Sequence, residues 1–133
     1  MSMIRGDCFC GRCSYEATGD LLDVLHCHCT ICRRLTGSAF TTYAGVFQAN
    51  FKWLCDTINI NQYRSSERVS RFLCSTCGSL VASIDYDEKN TIYLTAGLIN
   101  TNTKINVEYH QFVSSKVSWF EIEDNLPQYT HGA

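Results

Sequence analysis

The sequence has no excess of positive charge. Its 133 residues include 11 Lys and Arg against 13 Asp and Glu, which gives a formal net charge of -2 and a pI near 6.0. Non-specific binding to nucleic acid depends on clustered Lys and Arg that neutralise phosphates. We therefore expect nucleic acid to be an unlikely partner.

Long apolar segments are missing as well. No run approaches the roughly 18 apolar residues that a membrane span needs, and residues 1–6 contain no apolar stretch of the secretory type. From this we expect no membrane association and a cytoplasmic location. The length and the 45% hydrophobic content fit a single domain over residues 1–133, with its core at about 4–122 and a tail at 123–133.

Helical periodicity, internal repeats and Gly/Ser linkers are almost absent, whereas β-branched and aromatic residues are common. These features predict a mostly β single domain with little helix. Five strands are predicted, at residues 13–18, 39–47, 69–73, 80–84 and 91–96.

Shorter elements are predicted elsewhere. Segments 107–113 and 117–122 are separated by Ser114, Ser115 and Lys116, which suggests a hairpin. One helical turn is predicted at 30–35, capped by Thr30 and ended by Gly37. Pro127 and the residues after it suggest a poorly ordered end.

Cysteine is abundant, and its nine copies are an odd number, so they cannot all form intramolecular disulfides. In a reducing compartment, closely spaced cysteines are more often metal ligands than disulfide partners. Cys55 stands alone, and we expect it to be a small buried side chain. The other eight form three clusters: Cys8, Cys10 and Cys13; Cys27, Cys29 and Cys32; and Cys74 and Cys77.

The last cluster is a zinc-knuckle motif, in which Cys74 and Cys77 can grip one ion and Gly78 allows a tight turn. Two thiolates supply half of a tetrahedron, and Cys8 and Cys10 offer the other half. These four cysteines predict a closed, structural metal site. Iron is an alternative to zinc in such a site, and zinc is favoured because the chain has no second C-x-x-C-G pair. Cys13 is interpreted as a core residue.

The middle cluster offers three thiolates within six residues, from Cys27, Cys29 and Cys32. Three protein ligands and an exchangeable fourth position are typical of a catalytic zinc. His26 or His28 is an alternative fourth ligand, which would make this a second structural site. The spacing alone leaves both possibilities open.

The ordered motifs resemble the glutathione-dependent formaldehyde-activating enzyme family, also called the CENP-V/GFA domain. The resemblance spans nearly the whole chain. It rests on Gly6-x-Cys8-x-Cys10-Gly11, Cys27-His28-Cys29-x-x-Cys32-Arg33, Thr36-Gly37-Ser38-Ala39-Phe40, Phe72-x-Cys74-x-x-Cys77-Gly78, Ala96-Gly97-Leu98, His110-x-Phe112-Val113-x-Ser115-Lys116, Trp119 and Asp124-x-Leu126-Pro127.

The resemblance implies a β-tent fold of antiparallel sheets with two zinc ions per chain. It implies a structural zinc on the first C-x-C and last C-x-x-C pairs. It also implies an active centre in which Cys27, Cys29 and Cys32 hold a second, more loosely bound zinc where glutathione enters.

The implied reaction is reversible addition of a thiol such as glutathione to a small aldehyde, which in reverse is carbon-sulfur lyase chemistry. Arg33 and Arg34, beside the active-centre cysteines, are candidates to pair with the thiol's carboxylates, or they are simply solvated. His28 and His110 are candidate proton carriers, although a structural role is the commoner one for such histidines.

A non-catalytic zinc module for a protein or nucleic-acid partner is the competing interpretation. An exposed basic stripe would support it. The main basic cluster, Arg64, Arg68 and Arg71, is interrupted by Glu67, so the charge pattern favours the enzyme.

Overall fold

Ten strands are the main secondary structure of the protein, which a computed structural model describes over residues 3–133. The strands are β1 (Met3–Asp7), β2 (Ser14–Thr18), β3 (Val24–Cys27), β4 (Thr41–Phe47), β5 (Phe51–Trp53), β6 (Ile60–Arg64), β7 (Val69–Cys74), β8 (Leu80–Asp85), β9 (Thr91–Thr95) and β10 (Tyr109–Gln111). The mostly β prediction is confirmed. All five predicted strands are present, with bounds that differ by two residues or fewer.

The strands form two sheets. A three-stranded sheet has the order β1-β2-β5, and a seven-stranded sheet has the order β10-β3-β4-β9-β8-β7-β6. Every pairing within the sheets is antiparallel except that of β10 with β3, which is parallel. The prediction of antiparallel sheets therefore holds with one exception.

The main core lies between the two sheets. Side chains alternate between the faces of a strand, and in β1 and β2 every second residue is buried. These residues include Ile4, Tyr15 and Ala17, which share one apolar cluster with Val46 and Leu94 of the larger sheet. Burial of this face fixes how the small sheet packs on the large one.

One α-helix, α1 (Thr30–Thr36), follows β3. Its N-cap is Cys29 rather than the predicted Thr30, because the Cys29 Sγ accepts a hydrogen bond from the backbone N–H of Cys32. Gly37 ends the helix, as predicted, in the left-handed conformation. Within residues 3–133, no helix is both long enough and apolar enough to cross a membrane.

The predicted C-terminal hairpin of 107–113 with 117–122 is wrong. Only Tyr109–Gln111 is a strand, and it pairs with β3. The strand ends because Phe112 adopts a positive φ of 57° and a 3-10 turn follows at Val113–Ser115. The Lys116 ammonium then donates to two carbonyls of the second predicted strand, which holds that segment as a turn.

The end of the chain is bonded to β10, in contrast to the poorly ordered tail that was predicted. The backbone N–H of His110 donates to the Pro127 carbonyl at 2.9 Å, and the N–H of Tyr129 donates back to the His110 carbonyl at 2.9 Å. The N–H of Phe112 donates to the His131 carbonyl at 3.0 Å. The tail therefore lies along the edge of the larger sheet.

Gly6 provides a test of the packing between β1 and β2. A Cβ at this position would come within 2.7 Å of the Tyr15 Cε2 atom. The Tyr15 ring is fully buried and packs on Phe51 and Trp53, so it has no room to move aside. We expect Gly6→Ala to lower the free energy of unfolding by about 1–3 kcal/mol, measured by denaturant unfolding.

Gly97→Ala is the matched control, because no heavy atom lies within 4 Å of its added Cβ. The free energy of unfolding of this variant should stay within about 0.5 kcal/mol of the wild-type value. An equal loss of stability in both variants would contradict the packing described for Tyr15.

Candidate functional site

Four cysteines meet where the two sheets join. Cys8 and Cys10 lie in the turn after β1, while Cys74 is the last residue of β7 and Cys77 lies in the turn that connects β7 to β8. Their four Sγ atoms all lie within 4.8 Å of one another. This four-cysteine cluster can hold a metal ion, and it brings together the two pairs that the sequence predicted.

Backbone amides donate hydrogen bonds to two of the sulfur atoms of this cluster. The Cys13 N–H donates to the Cys8 Sγ at 3.3 Å, and the N–H groups of Thr76 and Cys77 each donate to the Cys74 Sγ at 3.4 Å. Hydrogen bonds of this kind favour the thiolate form, which is the metal-binding form of cysteine.

Each of the two turns contains a glycine in the left-handed conformation. Gly11 and Gly78 have φ values of 82° and 79°, in the left-handed region that L-residues rarely adopt. Each glycine therefore lets its turn bring two sulfur atoms to the same point. The hydroxyl of Ser79 also hydrogen-bonds the Cys77 Sγ at 3.2 Å and lowers the pKa of that thiol to about 5.

Cys13 and Cys55, which lie outside both cysteine clusters, pack in or against the core. Cys13 is fully buried beside the four-cysteine cluster, and its thiol donates to the Asn59 carbonyl at 3.1 Å. Cys55 is half-buried against the same core. Neither belongs to a metal-binding group. Cys13 is a core residue, as interpreted, whereas Cys55 is only partly buried and not fully buried as expected.

A second cluster contains Cys27, Cys29 and Cys32. Cys27 is the last residue of β3, Cys29 caps α1, and Cys32 lies in the first turn of that helix. Their three Sγ atoms lie within 4.8 Å of one another. Cys27 and Cys32 are buried and Cys29 is half-buried, so this three-cysteine cluster is reached from one side.

The thiols of this cluster differ in acidity. Hydrogen bonds from the Cys27 and Cys32 thiols lower the pKa of Cys29, and the N–H of Cys32 lowers it further. The same contact with Cys29 raises the pKa of the Cys27 thiol.

His28 points away from the three-cysteine cluster. Its Nε2 is 2.8 Å from the His110 Nδ1, and the His110 Nε2 is 2.9 Å from the Asp124 Oδ2. Desolvation and the nearby His110 lower the pKa of His28 to about 4, so the ring is neutral at pH 7. His26 is bonded to Thr42 at 2.7 Å.

These contacts bear on whether a histidine could be the fourth ligand of the three-cysteine cluster. Among residues 3–133, the group that includes Cys27 and Cys29 contains no histidine ligand atom. His28 and His110 lie outside the cavity that the cysteines line. Their bonds to each other and to Asp124 hold β3, β10 and the tail together, which is a structural role.

A cavity of about 570 Å³ opens over the three-cysteine cluster. This volume is in the range of small-molecule sites. The wall includes aromatic side chains from three strands and the segment after β10, together with residues of the tail, among them His131. The aromatic residues are Tyr43, Tyr93, Tyr109 and Phe112.

Arg71 of β7 is a buried, charged residue in the wall of this cavity, with 5% of its surface exposed. Its Nε donates to the Ser65 Oγ at 3.0 Å, and its Nη1 donates to the Tyr43 hydroxyl at 2.7 Å and to the Ser83 Oγ at 3.2 Å. The Nη2 group lies 3.9 Å from the Cys32 Sγ. The Tyr43 hydroxyl is itself 3.2 Å from that sulfur.

The structure does not bring Arg33 and Arg34 to the cavity. The Arg33 Nη1 donates to the Ser115 carbonyl at 3.0 Å, which links α1 to the turn after β10. Arg34 is exposed on the helix, and neither residue lines the cavity. The helix turns these side chains away from the face that carries Cys29 and Cys32.

Arg71 and Tyr43 are the site residues that sequence reasoning missed. Arg71 was seen only as one member of a basic cluster. The sequence feature that could have identified Arg71 is its position as a lone arginine inside a largely apolar strand, three residues before Cys74. Such a residue needs partners from other strands, and the sequence does not say which strands these are.

Both cysteine clusters suit a soft divalent metal. Thiolates are preferred ligands of zinc, with four in closed structural sites and three protein ligands in open catalytic ones. The four-cysteine cluster supplies the first set and the three-cysteine cluster supplies three sulfur ligands beside a cavity. The residues present therefore fit a metal at each place.

Comparison with known proteins supports the same interpretation. The family described as glutathione-dependent formaldehyde-activating enzyme has a sequence model that matches residues 3–115. This range includes all seven cysteines of the two clusters. The tail, part of which borders the cavity, lies outside the matched range.

Two individual proteins are similar over most of the chain. An uncharacterized lyase from Schizosaccharomyces pombe is 21% identical over 130 residues, which cover 98% of this chain and 93% of that protein. The crystal structure of a Rhodobacter sphaeroides protein has a similar fold, with a TM-score of 0.63 and 19% identity, covering 74% of this chain and 90% of that one. On the match of its residues 3–115 to the family's sequence model, the chain belongs to the glutathione-dependent formaldehyde-activating enzyme family.

Proposed function

We propose that the protein is a zinc-dependent carbon-sulfur lyase that forms and cleaves the adduct between glutathione, or a related thiol, and a small aldehyde. Family membership and the lyase name of the yeast relative support this reaction class. The observation that carries the proposal is the three-cysteine cluster at the wall of a cavity, with no fourth protein ligand among residues 3–133. Such a site has room for a ligand from outside.

The reaction needs a thiolate and an aldehyde at one place. A thiol of ordinary pKa, about 8.5, is only about 3% ionised at pH 7, so complete ionisation is worth roughly thirtyfold, or about 2 kcal/mol. A zinc ion held by Cys27, Cys29 and Cys32 would supply the Lewis acidity that favours the thiolate. The rest of the rate enhancement comes from positioning by the protein.

The chemistry requires no redox partner. The thiol sulfur attacks the carbonyl carbon, the electron pair of the C=O π bond moves to oxygen, and that oxygen takes the proton that the thiol has lost. The reverse reaction breaks the same carbon-sulfur bond.

The chain's own residues orient the reactants and limit access of water. Tyr93, Tyr109 and Phe112 form an apolar wall against which the stem of a thiol can pack. Arg71 supplies positive charge close to Cys32.

The basic cluster of Arg64, Arg68 and Arg71 does not support the alternative of a module that binds nucleic acid. Arg71 is buried, and Arg68 pairs with Asp85 and Asp87 at 2.9 and 3.3 Å. Arg64 lies over the Tyr86 ring, with 4.7 Å between its Cζ and the ring centroid. These three residues therefore do not form the exposed basic stripe that such a partner requires.

We expect the two clusters to differ in their effect on folding. Structural zinc contributes on the order of 10 kcal/mol, comparable with the entire stability of a small domain. Cys74→Ser should therefore unfold the protein at 25 °C. Cys29→Ser should leave it folded, because serine is a good N-cap and its hydroxyl can accept the bond from Cys32. Circular dichroism and thermal unfolding measure the difference.

Cys55→Ser is the control for the loss of a thiol outside both clusters. It should resemble the wild type in metal content and change thermal stability only modestly. Equal loss of stability in the Cys74 and Cys29 variants would remove the distinction between a structural and an active-centre cluster.

We also expect an external thiol to bind at the three-cysteine cluster. In the cobalt-substituted protein, glutathione should shift the thiolate-to-cobalt absorption of this cluster and leave that of the four-cysteine cluster unchanged. Cys32→Ser should abolish the shift, and Cys55→Ser should retain it. If no thiol in a panel changes the spectrum of the wild type, the site is closed and the non-catalytic zinc module becomes the better interpretation.

A further inference from the structure

Arg71 is a buried cation without a carboxylate partner. Only 5% of its surface is exposed. The ion pairs found among residues 3–133 do not include it, and its closest hydrogen-bond partners are the neutral hydroxyls of Ser65, Tyr43 and Ser83. A guanidinium remains charged inside a protein, so the charge persists despite the burial.

A buried charge is strongly unfavourable unless an opposite charge lies close by. The negative charge that lies in contact with Arg71 is that of the three-cysteine cluster. The Nη2 group is 3.9 Å from the Cys32 Sγ. The Tyr43 hydroxyl provides a second connection, since it accepts from the Arg71 Nη1 and lies 3.2 Å from the same sulfur.

The charges of the cluster and of Arg71 balance when a divalent metal is bound. Three thiolates and one divalent ion leave a single net negative charge, which the guanidinium neutralises. An added thiolate brings a further negative charge into the cavity beside the cluster. Without Arg71, that charge would join a site that is already negative.

We propose that Arg71 is the counter-ion of the three-thiolate metal site, and that with Tyr43 it allows the site to hold a divalent metal and then an anionic thiol. This inference rests on the proposed function. It assigns Arg71 a positioning role that acts through Cys32. It also predicts that an anionic fourth ligand, such as a thiolate, binds more weakly to the metal of this cluster when the charge of Arg71 is removed.

The affinity of the three-cysteine cluster for cobalt, measured in competition with a chelator, tests this proposal. Arg71→Met removes the charge and should weaken binding by about 10–100-fold, the range seen when partners of metal ligands are removed. Arg71→Lys keeps the charge and should restore most of the affinity. Arg68→Met is the matched control: this arginine lines the same cavity but pairs with two aspartates, so its loss should leave the cobalt affinity unchanged.

The four-cysteine cluster reports on folding in the same samples, because its cobalt absorption should be unchanged in every variant. If Arg71→Met does not fold, Tyr43→Phe provides the second test. This variant removes the hydroxyl between Arg71 and Cys32 and should weaken cobalt binding at the three-cysteine cluster by about two- to tenfold. Unchanged affinity in the folded variants would overturn the proposal.

Thiol titrations separate this inference from the proposed function. If the wild type binds cobalt and glutathione at the three-cysteine cluster while Arg71→Met binds both equally well, only the counter-ion role fails. If Arg71→Met keeps its cobalt affinity and loses only glutathione, Arg71 contacts the thiol directly and the counter-ion role is again wrong. If the wild type itself binds no metal at this cluster, both proposals fail.

Discussion

The convergence of two distant turns on one point is the constraint on which the rest of the structure depends. Cys10 and Cys74 are 64 residues apart in sequence, and their sulfur atoms are 3.6 Å apart. One turn follows β1 of the small sheet and the other follows β7 of the large sheet. A metal ion at the four-cysteine cluster would therefore join the two sheets beside the core that lies between them.

The second cluster depends on the pleat of β3 and on the helix that follows. Successive side chains of an extended chain point to opposite sides. Cys27 and Cys29 accordingly face the cavity, whereas His28 between them faces His110 and Asp124. Helix α1 then brings Cys32 back to the same point. A short run of sequence thus makes a sulfur cluster on one side and a buried histidine pair on the other.

Sequence reasoning recovered what depends on local patterns. The β-branched runs predicted five strands, glycine-bordered cysteine pairs predicted the four-cysteine cluster, and three closely spaced cysteines predicted the second cluster. Strand β1 was missed because Gly6 interrupts a short segment that also carries Arg5 and Asp7. Strand β6 was missed because it is mostly exposed on both faces and has no alternating pattern. The C-terminal hairpin was predicted from two strand-like segments around a short polar turn, a pattern that does not reveal the positive φ of Phe112 or the parallel pairing with β3.

The charges of the site could not be assigned from sequence proximity. Arg33 follows Cys32 directly, yet the helix carries it to the Ser115 carbonyl. Arg71 is 39 residues from Cys32 and reaches it through the pairing of strands. Contacts between residues that are far apart in sequence are set by the topology of the sheet, which a single sequence does not reveal.

The account depends on one cluster being closed and the other open. The zinc X-ray absorption spectrum measures this directly, because its fine structure gives the average number of sulfur ligands at about 2.3 Å. The fully loaded protein should show an average midway between three and four sulfur ligands per zinc, with a light atom completing the second site. Saturating glutathione should raise the average to four. An average of four before any thiol is added, or a histidine signature that glutathione does not displace, would contradict the account.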